Sequence, residues 1–573
     1  MRATLCVLLC FAVLDPFSQM AASSSAAEFG RPSGDVGQSR SVVVSRHGMV
    51  ATSQPLASLA GLDVLKRGGN AADAAIATCA ALGVVEPMSC GIGGDLFVIY
   101  WDAKTQKLYG LNASGRSPYK LSRNVFREKK LEQIPEFGPL SWSVPGCVAG
   151  WEDLRARFGT LKLAELLRPA IAHAADGFGV TEVIADHWGG AEGALRRWPT
   201  SSATYLREGR APRAGEVFRN PQLARTYRQI AEQGPEVFYR GEIAKQIVDF
   251  SKQVGGYFSL RDFAEHHSDW VDPVSTSYRG YDVWELPPNG QGIAALEMLN
   301  LLAGYDLASL GPKNPDYVHL LVEAKKLAFA DRARFYCDPA FVRPPVAELI
   351  SKQYAAGRRK LIDRERAMKT VDAGSPRLAR GDTIYLCTVD KDRNCCSMIQ
   401  SNFSGFGSQI AAGELGFALQ NRGALFALDE DHPNRLEPHK RPFHTIIPAM
   451  VTRAGKPWLV FGVMGGDMQP QGHVQVLVNM IDFGMNVQQA GDAARVYHSG
   501  SATPTGLAGD PQGGTVALEP GFGDQVVQSL ERKGHRVTRG VAFGGYQGIL
   551  IDHEHGTLHG GSDPRKDGCA VGY

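Results

Sequence analysis

The run TIYLCTV is followed by the polar link DKDRN and then by CCSMIQSN. This stretch constrains the fold more than any other. Two apolar, β-branched runs joined by five polar residues, Asp390 to Asn394, predict a β-hairpin. Centring the turn on Asp392 opposes Thr383 to Ser401. Directly opposed residues share a face with Cβ atoms roughly 4.5–5.5 Å apart, so two hydroxyls should meet at the open end of the hairpin. A bulge there would spoil the pairing. The segment before Thr383, RAMKTVDAGSPRLARG (366–381), is polar and reads as an exposed loop. Thr383 therefore stands where a loop becomes a strand.

Around this hairpin the texture is mixed. SVVVSRHGMVATS reads as strand. LASLAGLDVLKRGGN reads as an amphipathic helix with Leu59, Leu62 and Leu65 on one face, stopped by Gly68 and Gly69. Asn70 can cap the next helix, AADAAIATCAALGVV. The middle, Val144 to Arg359, is mostly helix-like, and VHLLVEAKKLAFADRARFY is its clearest case. Beyond Thr383, short strands and glycine turns take over. The expectation is an α/β (α+β) chain whose sheets are covered by helices.

Lys and Arg (61) nearly cancel Asp and Glu (59), which gives no footprint for nucleic acid. The leader has Arg2, a short apolar core and a small-residue tail. Residues 1–22 therefore read as a secretory signal and 23–41 as a linker, which places the protein in a secreted or periplasmic compartment. No stretch is long enough for a stable membrane span. The ten cysteines show no CxxC pair and read mostly as small buried hydrophobes. His553, His555 and His559 in DHEHGTLH lack a carboxylate partner, and CGIGGD lacks a dinucleotide context, so no metal and no cofactor is expected. Asn112 and Asn402 match glycosylation acceptors, and Asp390 and Asp392 read as turn formers.

An isolated threonine that opens a strand is ordinarily just a β-former. Its hydroxyl becomes a good nucleophile when a free amine serves as its base, and Thr383 gains that amine only if the Asp382–Thr383 bond is cut. FGVMGGDMQPQG adds a second feature. Gly465 and Gly466 follow a strand-like run, and glycine amides in such a turn can face a developing oxyanion. His444 and Thr445 precede another apolar strand and offer an imidazole and a hydroxyl.

The ordered set LKRGGNAADAAIA, GIGGDLF, EAKKLAFADR, DTIYLCTVDKDRN, HKRPFHTIIPAMV, VMGGD and GGSDPRKDG resembles the γ-glutamyltransferase (glutathione hydrolase) family from about Val43 to Tyr573. The resemblance implies an N-terminal-nucleophile hydrolase, an αββα four-layer sandwich. Its precursor cuts itself between Asp382 and Thr383 into a large subunit (42–382) and a small subunit (383–573). It also implies that Thr383 attacks an amide, Ser401 supports it, and Gly465 and Gly466 hold the oxyanion. The substrate is then a small-molecule amide or peptide such as glutathione or another γ-glutamyl compound.

The positions that would read the glutamate depart from the family pattern. Arg116 is shifted by about two places, and Ser114 stands where the arginine is expected. Phe403 replaces an Asn, Arg422 a Gln, Leu425 an Asp, and His444 with Thr445 a pair of serines. Arg422 would repel an ammonium and Leu425 removes its charge partner. Two alternatives follow: an amidohydrolase or acylase of non-glutamyl amides such as dicarboxylic-acid monoamides, or an uncleaved, inactive homologue.

Overall fold

The computed structural model describes residues 38–371 and 382–573, with Asp382 and Thr383 described by their backbone alone. The signal, most of the 23–41 linker and the loop 372–381 lie outside the described residues. The end of the linker is tied down, since the Ser39 N–H donates to Asp492 Oδ2 at 2.7 Å. Among the described residues no helix is long and apolar enough to cross a membrane.

Two seven-stranded sheets form the centre. The first runs, in spatial order, Val43–Ser45, Thr557–Ser562, Gly545–Asp552, Lys456–Met464, Ala449–Arg453, Tyr281–Glu285 and Val274–Tyr278. The second runs Cys569–Gly572, Met49–Thr52, Asp382–Val389, Cys395–Phe403, Asp95–Asp102, Lys107–Ala113 and Asp269–Val271. Side chains alternate across each strand, and this alternation builds the layers. Tyr385, Cys387 and Val389 join Phe97, Ile99, Met450, Val460 and Ile549 in a core between the sheets. Ile384 and Leu386, from the same strand, pack with Leu96 and Val98 against the helices Pro55–Lys66 and Ala71–Val85. On the far side, Leu459, Phe461 and Val463 meet the helices Gly292–Leu302, Pro315–Phe335 and Met468–Ile481. The order is helix, sheet, sheet, helix.

Local chemistry explains the helix starts. Asn70 and Asp73 form a reciprocal capping box on Ala71–Val85. Asp390 is a turn former: Oδ1 accepts from the N–H groups of Asp392 (2.9 Å) and Asn394 (3.0 Å), and Oδ2 accepts from Ala71 N (3.0 Å). Leu59 departs from expectation. It is 46% exposed, while Leu62 and Leu65 are buried. The middle region also holds three strands within 269–285, which edge both sheets and which helix periodicity did not reveal.

The hairpin register holds from Val389↔Cys395 to Ile384↔Gln400, as centring on Asp392 requires. It then breaks: Asp382 pairs with Phe403, so Thr383 faces both Ser401 and Asn402. The expected direct Thr383–Ser401 pair is therefore replaced by a bulge. The cause is local. Phe403 N–H donates to Ser401 Oγ at 2.8 Å and Asn402 N–H to Ser89 O at 3.1 Å, and Phe403 adopts φ 81°.

Candidate active site

The open end of the hairpin is surrounded by buried polar groups. Ser401 lies at the end of its strand, wholly buried. Arg422 opens the short 3₁₀ turn Arg422–Leu425 and is also wholly buried. Its Nη2 donates to Ser401 Oγ at 3.0 Å and its Nη1 to Thr445 Oγ1 at 2.7 Å. The guanidinium lies over the Phe403 ring, 4.6 Å from its centroid. Its Nε–H has no partner among the described residues. Burial lowers the Arg422 pKa to about 9, opposed by the field of Asp95, and the group stays cationic at neutral pH.

Asp95 anchors the floor. Its Oδ1 accepts from Gly115 N (2.9 Å), Gly146 N (3.2 Å) and Gln420 Nε2 (2.8 Å), and its Oδ2 faces His444 Nε2 at 3.0 Å. Ile446 N–H points at His444 Nδ1 (3.3 Å), which assigns the proton to Nε2. Burial, with Arg422 nearby, lowers the His444 pKa to about 3, so the ring is neutral.

Gly465 and Gly466 have φ 114° and 57°, where glycine is at ease and other residues are strained. Their carbonyls accept from Met468 N (3.0 Å) and Gln469 N (3.1 Å), so the pair forms the approach to the helix Met468–Ile481. A helix N-terminus favours negative charge. Beside Phe403 a cavity of about 730 Å³ opens, walled by Glu136, Ala424, Phe426, Leu428 and Leu507.

The fold thus brings Ser401, Phe403, Arg422 and Thr445 into one contact network. The side chain of Thr383 lies outside the described residues. Leu425 is wholly buried in the same apolar cluster as Phe403. Two of the expected pocket donors are bonded to protein groups. Arg116 faces the sheet edge, where its guanidinium is held by His267 O (3.2 Å), His267 Nε2 (3.1 Å) and Asp269 Oδ2 (3.4 Å), and Arg441 shares Asp269. The loop is pinned at Ser114, whose hydroxyl donates to Asn112 Oδ1 at 2.7 Å. His444 has both ring nitrogens engaged, by Asp95 and Ile446 N. His553 turns to Pro457 O and His555 to Asp552 at 2.8 Å, while His559 meets Thr557 Oγ1 at 3.0 Å and Asp552 at 4.0 Å, so two of the three do face a carboxylate, contrary to the sequence expectation. Asn112 and Asn402, the two sequons, are buried within strands. Sequence reasoning assigned no role to Asp95, Gln291, Arg332 or Asp467. Three of these stand inside quoted motifs, GIGGDLF, EAKKLAFADR and VMGGD, while Gln291 had only the turn NGQG as a signal.

Residues 57–573 match the family model described as Gamma-glutamyltranspeptidase. The chain is 39% identical over 535 residues to the glutathione hydrolase-like YwrD proenzyme of Bacillus subtilis, covering 92% of this chain and 99% of that one. It is 32% identical to the oxamate amidohydrolase proenzyme of Klebsiella pneumoniae, covering 92% and 99%. The cephalosporin acylase from Bacillus halodurans superposes with a TM-score of 0.86 at 43% identity, covering 95% of this chain and 99% of that one. The four layers are those of the N-terminal-nucleophile hydrolases.

Proposed function

Because the chain belongs to the gamma-glutamyltranspeptidase family and is an enzyme of that family, we propose that it cleaves itself before Thr383 and then opens amides whose acyl group carries a carboxylate but no α-ammonium. In maturation the Thr383 hydroxyl attacks the carbonyl of Asp382, the peptide nitrogen leaves to give an ester, and water opens that ester. This separates a large chain that ends at Asp382 from a small chain, 383–573. In turnover the freed α-amine takes the proton of the Thr383 hydroxyl as its oxygen attacks the substrate carbonyl. Negative charge on that oxygen is met by the N–H groups of Gly465 and Gly466. The α-ammonium passes this proton to the substrate nitrogen, which leaves as the amine, and water, or a second amine, then releases the acyl group from Thr383. The leader directs the precursor out of the cytosol and is removed.

Arg422 carries this reading of the substrate. It is a buried cation bonded to Ser401 and Thr445 whose Nε–H has no partner among the described residues, and the neighbouring Leu425 supplies no carboxylate. Such a site accepts an anion and disfavours an ammonium. Relatives named as an oxamate amidohydrolase and a cephalosporin acylase support an acyl group other than γ-glutamyl. The test is kcat/KM for glutathione beside glutaryl amides with the same amine. Glutaryl amides should be cleaved at least tenfold better, and a clear preference for glutathione would overturn the reading.

A further inference from the structure

Gln291 stands in the turn NGQG, between the strand Tyr281–Glu285 and the helix Gly292–Leu302. Its side chain is wholly buried and fully used. The amide nitrogen donates to Thr445 O at 2.6 Å and to Gly466 O at 3.0 Å. The amide oxygen accepts from Arg332 Nη1 at 2.6 Å. Arg332, also wholly buried, forks onto Asp467, with Nη1 at 2.6 Å from Oδ1 and Nη2 at 3.2 Å from Oδ2. One planar amide therefore ties the glycine turn to the residue whose hydroxyl holds Arg422.

We propose that Gln291, itself held by Arg332, is the positioning residue that fixes the Gly465–Gly466 turn against the acyl pocket. The inference rests on the reading of that turn as the oxyanion site. Its physical reason is the freedom of glycine. Two glycines with positive φ have no side chains to restrain them, so their N–H directions must be set from outside. The two N–H bonds of a carboxamide diverge at a fixed angle, so they set Thr445 O and Gly466 O relative to each other. The Arg332–Asp467 fork clamps the next residue of the turn. A misplacement of about 1 Å in such a site costs about a hundredfold in rate.

The test uses mature, cleaved enzyme with active sites counted as chains that begin with Thr383. Gln291→Met keeps the length of the side chain and removes both donors and the acceptor. Gln291→Glu keeps a partner for Arg332 but loses the paired donors, and it decides the matter if the first variant does not fold. Each should lower kcat per site by about tenfold to a hundredfold, with KM for a glutaryl amide changed less than about threefold. A purely structural role would lower yield or Tm and leave kcat per site unchanged. Wild-type kcat in a folded Gln291 variant, or a loss confined to KM, would overturn the inference. Gly466→Ala tests the underlying reading separately. If it cuts kcat while the Gln291 variants do not, only the clamp fails. If neither change affects kcat, the oxyanion assignment fails as well.

Discussion

Arg422→Gln removes the buried cation and restores the side-chain type that the family pattern has at this position. Arg422 donates to Thr445 and Ser401, at 2.7 and 3.0 Å, and its Nε–H has no partner among the described residues. A hydrogen bond from a charged donor to a substrate carboxylate is worth about 1.5–3 kcal/mol. At about 1.4 kcal/mol per tenfold, its loss lowers kcat/KM by roughly tenfold to a hundredfold. Arg422 also holds Ser401, so a general loss of rate is expected on top of this. The deciding quantity is therefore a ratio. Two amides with the same leaving amine are compared, one with a terminal carboxylate on the acyl chain and one with a terminal carboxamide of the same length. Wild-type enzyme should prefer the carboxylate, and Arg422→Gln should shrink that preference by about tenfold to a hundredfold. The fold should survive, because removing a buried charge also removes its desolvation cost. An equal loss on both substrates would show that Arg422 only holds Ser401 in place, and the argument from charge would fail.

Thr383→Ala should remain one chain apart from any removed leader, whereas N-terminal sequencing of active wild-type protein should find a chain that begins with Thr383. Its absence would remove the proposed nucleophile. Ser401→Ala should slow maturation or turnover, and it should also cost about 2–4 kcal/mol in denaturant unfolding, because Phe403 N–H and Arg422 Nη2 both lose their acceptor. Wild-type rates for both steps would take Ser401 out of the mechanism. Acid should destabilise the fold early. Burial holds His444 and His473 neutral down to pH values of about 3, whereas in the unfolded chain they protonate near pH 6.5. Between those values the unfolded state binds more protons, so stability falls as pH drops from about 6.5, by at most about 1.4 kcal/mol per pH unit for each histidine. A flat Tm from pH 7 to pH 5 would contradict the neutral, buried assignment.

Much of the architecture was legible in the residues taken alone. The hairpin, its turn at Asp392 and its register down to Ile384 follow from alternation and from a five-residue polar link, which are short-range effects. The capped helix Ala71–Val85 follows from Asn70 in the same way. The motif order identified the family across nearly the whole chain. Tertiary structure decided what depends on partners distant along the chain. The bulge opposite Thr383 exists because Ser89 and the Ser401 hydroxyl take N–H groups that a regular ladder would have used. Arg116 and Arg422 are both arginines near polar loops, and no local pattern separates them. Arg116 turns to Asp269 at a sheet edge, while Arg422 is enclosed between Thr445, Ser401 and Phe403. His444 looked like a free imidazole until Asp95, 349 residues earlier in the chain, occupied its Nε2. Gln291 carries no periodicity or charge to mark it, and its importance comes wholly from the two carbonyls and the guanidinium that folding brings to its amide. A buried polar group must find its partners wherever the fold places them. Local propensity therefore specifies the strands and helices of this chain, and the three-dimensional search for hydrogen-bond partners specifies its site.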